Sequence, residues 1–216
     1  MPVQEHRALA TRRDVRSAGA PAAGFLRHYR QGRCIYDEGD EAHFFYEVRS
    51  GVVRMSSVLQ DGRRLVDSFH TEGQLFGLEP ARSHTLCAET LSDCNIVSYR
   101  WNGVEAKMST DTMTSNWLFS YAMQTVTTAR NHAILLGRKT ATERVAAFLM
   151  EWVGRSPDPT VIVLAMSRQD IADYLGLTVE TISRTFSKLE RESLIQMTTS
   201  RLIEVRNRSA LRRLSA

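Results

Sequence analysis

Between Phe25 and Trp101, apolar and polar residues alternate in short runs broken by Gly and Asp, as in FFYEVRSGVVRMSSVLQDGRRLVDSF and NIVSYRW. A period of two predicts half-buried strands. Asp61-Gly62, set between VVRMSSVL and RRLVDSF, is a hairpin signal, and Asp37 to Asp40 (DEGD) and Ser50-Gly51 mark further turns. Short strands at this spacing predict a sandwich or a jelly-roll barrel. The period then changes. From Ser109 to Gly137 there is no Pro and no internal Gly, and Leu118, Ala122, Val126, Ala129, Ala133 and Leu136 recur at steps of four or three. Trp117, Tyr121, Gln124, Thr128, Asn131 and Leu135 form an adjacent, more polar row. One long helix is predicted, with one face for its own barrel and one for a partner.

A further helix is predicted from Thr140 to Arg155, with Thr140 and Glu143 as a capping box and Val145, Phe148, Leu149 and Trp152 as its apolar face. Gly137-Arg138-Lys139 is the expected hinge before it. Residues 167–190, SRQDIADYLGLTVETISRTFSKLE, then have the spacing of a helix-turn-helix. Ser167 and Asp170 give a capping signal. Ile171 and Leu175 share a buried face, and Ala172 is small enough for a second helix to approach. Gly176 stands where the turn needs positive φ, Leu177 returns to the core, and Thr178 caps the second helix. Ile182, Phe186 and Leu189 point inward, which leaves Glu180, Ser183, Arg184 and Ser187 on another face. An ordinary helical hairpin accounts for the caps but gives that face no purpose. LIQM and LIEV flank Thr198-Thr199-Ser200-Arg201 as a wing hairpin, so Ser193 to Val205 completes a winged helix-turn-helix.

In a major groove, glutamate accepts a hydrogen bond from cytosine N4 and arginine forks onto guanine O6 and N7. Glu180 and Arg184 lie one turn apart and suit neighbouring base pairs. The same spacing also suits a surface ion pair worth only about 0.3–0.5 kcal/mol. The segment Leu177 to Arg184, LTVETISR, resembles the recognition helix of the cyclic-AMP receptor protein and Fnr superfamily, in the variant of its Fnr and FixK branch. The receptor branch has an arginine where Val179 stands and a glycine where Ser183 stands. The resemblance implies base reading by Glu180, Ser183 and Arg184 on a pseudo-palindrome with half-sites like TTGAT and ATCAA. It spans roughly residues 25–210, and IYDEGDEAHFFYEVRSGVVRM resembles the opening of a cyclic-nucleotide-binding-type barrel. In that family the long helix is the dimer seam. The expected seam residues are Leu118, Ala122, Val126, Ala129, Ala133 and Leu136. Phosphate contacts are expected from Ser167, Arg168, Gln169, Thr178, Thr181, Lys188 and Arg201.

The expected fold class is α+β: a flexible arm over 1–22, a jelly-roll barrel over 23–108, a dimerisation helix over 109–137, and a winged helix-turn-helix over 138–216. At 216 residues the chain can bury a core in each domain. A formal net charge of +4 does not by itself mark a nucleic-acid binder, but residues 184–216 hold eight Lys or Arg against three Asp or Glu. The excess begins at the recognition helix, where double-stranded DNA is the expected partner. No run of about 18 apolar residues suggests a membrane span, and MPVQEHRALATRRDVRSAGAPAAG lacks a signal-peptide core. Three irregularly spaced cysteines suit a reducing cytoplasm.

A cyclic-nucleotide site needs Gly-Glu for ribose and Arg-Ser for the phosphate. Those positions align with Gly73-Gln74 or Gly77-Leu78 and with His84 and Thr85, with Arg82 one shift of register away. Cys34, Cys87 and Cys94 are too few for a four-thiolate cluster. His70 and His84 are the candidates for a haem ligand, although the histidines show no metal-type spacing. No cofactor and no metal is expected. A regulator gated by haem, redox state or a small molecule is the alternative. A cupin-type enzyme is more remote, since no His-x-His occurs. Family analogy favours a homodimeric activator meeting RNA polymerase through the loop from Gly77 to Ser83.

Overall fold

The computed structural model describes residues 13–15, 24–79, 82–102, 104 and 111–215. The arm expected over 1–22 lies outside them apart from strand β1 (Arg13–Val15), and so do residues 109 and 110, where the long helix was expected to begin. Strands β2 (Gly24–Tyr29), β3 (Cys34–Tyr36), β4 (Phe44–Ser50), β5 (Val53–Val58), β6 (Arg64–His70), β7 (Leu75–Phe76), β8 (Cys87–Thr90) and β9 (Cys94–Arg100) form two sheets, ordered β1-β2-β9-β4-β7 and β3-β8-β5-β6. Early strands pair antiparallel with late ones, β2 with β9 and β3 with β8, as a rolled-up chain requires. Strand β9 lies between β2 and β4, and its side chains are buried on both faces through Ile96–Tyr99, which explains why NIVSYRW alternates so weakly.

Two compact units result, residues 1–54 with 69–121 and residues 55–68 with 122–216. The first is centred on Phe45, Leu75, Val97, Tyr99 and Val104, against which Trp101, Trp117, Leu118 and Tyr121 pack. The buried Tyr99 hydroxyl donates to Glu47 Oε2 at 2.7 Å, so neither polar group is stranded.

The second unit holds the helices. Helix α1 (Thr112–Arg138), 27 residues and about 40 Å long, begins in the first unit and is otherwise the longest element here. Helix α2 (Ala141–Arg155) follows after Lys139 and Thr140 alone. The hinge expected at Gly137-Arg138-Lys139 is therefore shorter: Gly137 and Arg138 are helical. The cause is local. The Thr140–Glu143 capping box starts α2, and Arg144 satisfies the carbonyls with which α1 ends. Next come β10 (Val161–Val163), α3 (Arg168–Leu175), α4 (Val179–Arg191), β11 (Ile195–Met197), β12 (Leu202–Val205) and α5 (Arg208–Leu214). The wing hairpin β11–β12 gains β10 as a third strand, paired to β12 from Val161↔Glu204 to Val163↔Leu202. Neither β10 nor α5 was foreseen from the sequence.

Gly51 is required on two counts, conformation and space. Its φ is 92°, and a Cβ there would lie 2.5 Å from both the Asp93 carbonyl oxygen and Cys94 Sγ. Gly62 also has positive φ, but a Cβ would meet nothing within 4 Å. Gly62→Ala should cost about 1–2 kcal/mol from backbone strain alone. Gly51→Ala should cost at least about 1 kcal/mol more through the added overlap. Urea unfolding of the two variants measures the difference, and equal midpoints would show that the loop at Asp93 yields freely.

Candidate nucleic-acid interface

Helix α3 opens as its sequence requires. Ser167 Oγ accepts from the Asp170 amide at 3.1 Å, and the Asp170 carboxylate accepts from the Ser167 amide at 2.8 Å. The helix closes on Gly176, whose φ of 62° lets the amides of Gly176 and Leu177 both return to the Ala172 carbonyl. A Cβ at Gly176 would make only ordinary contacts, so backbone conformation rather than space calls for glycine. Thr178 then caps α4 by accepting from the Thr181 amide. Helix α4 buries Ile182, Thr185, Phe186 and Leu189, and Thr185 donates to the Thr181 carbonyl at 2.8 Å.

The opposite face of α4 is bare. Glu180, Ser183, Arg184, Ser187 and Lys188 are exposed, and among the described residues no ion pair joins Glu180 to Arg184. The backbone amide at the helix start, the Thr178 hydroxyl and the Arg184 charge hold the Glu180 carboxyl below its ordinary range. Glu180 is thus an ionised acceptor and Arg184 an uncommitted fork, side by side.

The expected phosphate residues divide. Ser167, Thr178, Lys188 and Arg201 are exposed, and Thr181 is half-exposed, sharing a hydroxyl contact with Thr178 at 3.1 Å. Gln169 is exposed, but its amide donates to Asp173 at 2.6 Å. Arg168 departs from expectation. Its guanidinium lies 3.6 Å from the centre of the Phe186 ring and donates to Met197 Sδ at 3.3 Å, packed inside the motif. Burial lowers its pKa from the ordinary arginine value. An arginine at a capping position reads as solvent-facing, and nothing in the spacing showed that Phe186 would offer it a ring.

Residues that the sequence did not single out hold this motif in place. Arg64, on the hairpin 55–68, donates to Asp170 at 2.6 Å and to Asp173 at 2.7 Å. Arg144 donates to Leu175, Leu136 and Lys139 carbonyls, His132 to the Tyr174 carbonyl, and Glu190 accepts from the Met197 amide of the wing. Arg144 stood inside a recognised capping segment, but the period alone does not say which carbonyl a long side chain finds. Arg64 carried no signal at all.

The expected seam residues of α1 divide by exposure. Ala122, Val126, Ala129 and Ala133 are exposed, whereas Leu118 packs on the barrel core and Leu136 is half-buried. Leu118 and Leu136 sit at the edge of the stripe, where the helix turns toward its own chain. Phe119, Met123 and Ile134 flank Val126 on the other side and are 66 %, 49 % and 48 % exposed. The bare apolar face is therefore centred on Val126, with alanines on one side and these larger residues on the other.

In the barrel, the positions aligned with a phosphate-binding Arg-Ser pair do not fit a cyclic phosphate. His84 is 2 % exposed, stacks on Tyr36 at 3.5 Å, and has its pKa lowered by burial. Thr85 donates to Glu79 Oε2 at 3.0 Å, and Glu79 Oε1 lies 4.0 Å from His84 Nδ1. A carboxylate stands where an anion would need positive charge. Arg82 and Ser83 are exposed, and Gln74 Oε1 is engaged by the amide and hydroxyl of Thr71. His70 packs against Phe76. The Cys34 thiol is pushed up to about 12 by burial and by Asp37, and burial also raises Cys94. Among the described residues, no three His, Cys, Asp or Glu side chains are grouped to hold a metal ion.

Comparison with known proteins agrees with the geometry. Residues 26–111 match a cyclic nucleotide-binding domain, and residues 143–214 match a Crp-like helix-turn-helix domain. The nitrogen fixation regulation protein FixK of Rhizobium meliloti is 38% identical over 197 residues, 90% of each chain. FixK of Azorhizobium caulinodans is 39% identical over 94% of this chain and 82% of its own. The structure of FixK2 from Bradyrhizobium japonicum superposes with a TM-score of 0.86 at 38% identity, covering 90% of this chain and 98% of that one. The chain thus belongs to the FixK-like branch of the cyclic-AMP receptor protein and Fnr superfamily of DNA-binding transcription regulators.

Proposed function

We propose that the protein works in the cytoplasm as a homodimer, binds TTGAT/ATCAA-like palindromes, and activates transcription through a contact with RNA polymerase. The observation that carries this reading is the bare face of α4, where Glu180, Ser183 and Arg184 are exposed while Ile182, Thr185, Phe186 and Leu189 hold the opposite face to its own domain. Side chains that hold the fold point inward, and those suited to base edges point outward. Ser167, Gln169, Thr178, Thr181, Lys188 and Arg201 are assigned to the DNA backbone, which fixes register. Arg168 is assigned to the support of α4 instead. The apolar face around Val126 supports the dimer, because a palindrome needs two recognition helices about 34–36 Å apart. A mobility-shift assay on a TTGAT-type palindrome tests the reading as a whole.

Arg184→Ala should weaken that complex by about 1–3 kcal/mol per half-site and relax preference at the guanine. Uniform weakening with preference intact would make Arg184 a phosphate contact. Arg168→Met should leave the slope of log affinity against log salt unchanged, whereas loss of a phosphate contact lowers it by about 1. Ala129→Glu should set like charges across the seam and halve the sedimenting mass. An unchanged mass with palindrome binding intact would move the seam to another face of α1.

A further inference from the structure

Two side chains tie the C-terminal end of α3 to α1 by a route that bypasses the intervening chain. His132, on α1, stacks on Tyr174 with ring centres 4.2 Å apart and planes 17° from parallel. Its Nε2 lies 3.0 Å from the Tyr174 carbonyl oxygen. A carbonyl only accepts, so Nε2 carries the proton. Arg144 bonds the next carbonyl, Leu175, through Nη1 at 2.9 Å, the Leu136 carbonyl in the last turn of α1 at 2.7 Å, and the Lys139 carbonyl just beyond it at 2.9 Å. Tyr174 is itself 8 % exposed and packs against Phe148 of α2.

Resting on the dimeric palindrome reading, we propose that His132, with Arg144, forms a clamp that sets which half-site spacing the protein accepts. The argument is one of levers. Only Lys139 and Thr140 separate α1 from α2, and free rotation there would swing the helix-turn-helix about the seam helix. Helix α2 is about 22 Å long, so a swing of about 10° moves its far end about 4 Å. That exceeds the rise of one base pair, about 3.4 Å. A loose hinge therefore tolerates a spacer one base pair too long or too short. A clamped hinge does not. The bond and stacking of His132 are to Tyr174, which is not among the proposed DNA-facing residues, so His132 acts as a positioning residue.

Two half-exposed-site substitutions separate its contacts. His132→Phe keeps a ring on Tyr174 and removes the donor. His132→Gln loses the ring and keeps an amide donor of similar reach. Affinity is measured on palindromes with the matched spacer and with spacers one base pair longer and shorter, alongside a single half-site and the sedimenting mass. Wild type should prefer the matched spacer sharply. His132→Phe should compress that preference about tenfold, or about 1.4 kcal/mol, with its dimer mass and single half-site affinity retained. His132→Gln should keep most of the preference. Identical profiles for wild type and His132→Phe, or loss of preference in both variants alike, would overturn the clamp while leaving the dimer reading intact. So would a uniform loss that includes the single half-site, which marks damage to the motif itself. A wild type indifferent to spacing would sink the dimeric reading and the clamp with it.

Discussion

Arg144 reaches three backbone carbonyls at once, Leu136 and Lys139 where α1 ends and Leu175 where α3 ends. Helix C-termini leave carbonyls without partners and carry partial negative charge, so a cation there is favoured twice, as donor and as charge. Hydrogen bonds from a charged donor are worth about 1.5–3 kcal/mol each, and their sum is less than three times that because one side chain makes them together. A lysine has a single point of charge and cannot span the same acceptors, whereas a rigid fork can. The direction of every later element depends on this corner. It fixes where α2 leaves α1 and where α3 turns into α4.

The other end of α3 is held by opposite chemistry. Asp170 is 4 % exposed, and its carboxylate accepts from the Ser167 amide and hydroxyl and from Arg64. A carboxylate buried that deeply is tolerable only with such compensation. One residue thus serves as helix cap and as anchor for a hairpin more than 100 positions earlier in the chain. With both ends of α3 fixed, α4 inherits its orientation through Ile182, Phe186 and the Arg168 guanidinium packed on the Phe186 ring. The reading face is then presented by a helix none of whose outward side chains is needed to hold it.

What the sequence disclosed follows from range. The capping boxes at Thr140 and Ser167, the Gly176 turn and the Asp61-Gly62 hairpin are local, set by residues three or four apart, and each stands where it was expected. Glu180 and Arg184 were legible for the same reason, since helical period alone places them outside. The inward turn of Arg168, the reach of Arg64 and the stacking of His132 on Tyr174 depend on neighbours 18 to more than 100 residues away, where periodicity is silent. Ser193 is a smaller case. It takes φ 56° at the end of α4, a conformation that usually announces itself as glycine. Helix α1 illustrates a different limit: it carries an apolar row and an adjacent, more polar one, and the period cannot say that its own barrel takes Trp117 and Tyr121 from the second with Leu118 from the first.

The barrel bears on control through charge. An effector shifts an equilibrium between two states only by binding them with different affinity. An anionic nucleotide gains nothing from a neutral, stacked His84 and meets the Glu79 carboxylate beside it. The barrel has instead filled that position with Tyr36, Tyr46, Phe76 and His84 packed against one another and against Gly77, which keeps φ 71° with side-chain atoms about 3.1–3.3 Å from where a Cβ would be. Packing of that density resists small adjustments. On the proposed dimer, occupancy of a palindrome also depends on concentration. A palindrome bound only by two copies is occupied according to how many copies exist, by mass action and without a ligand.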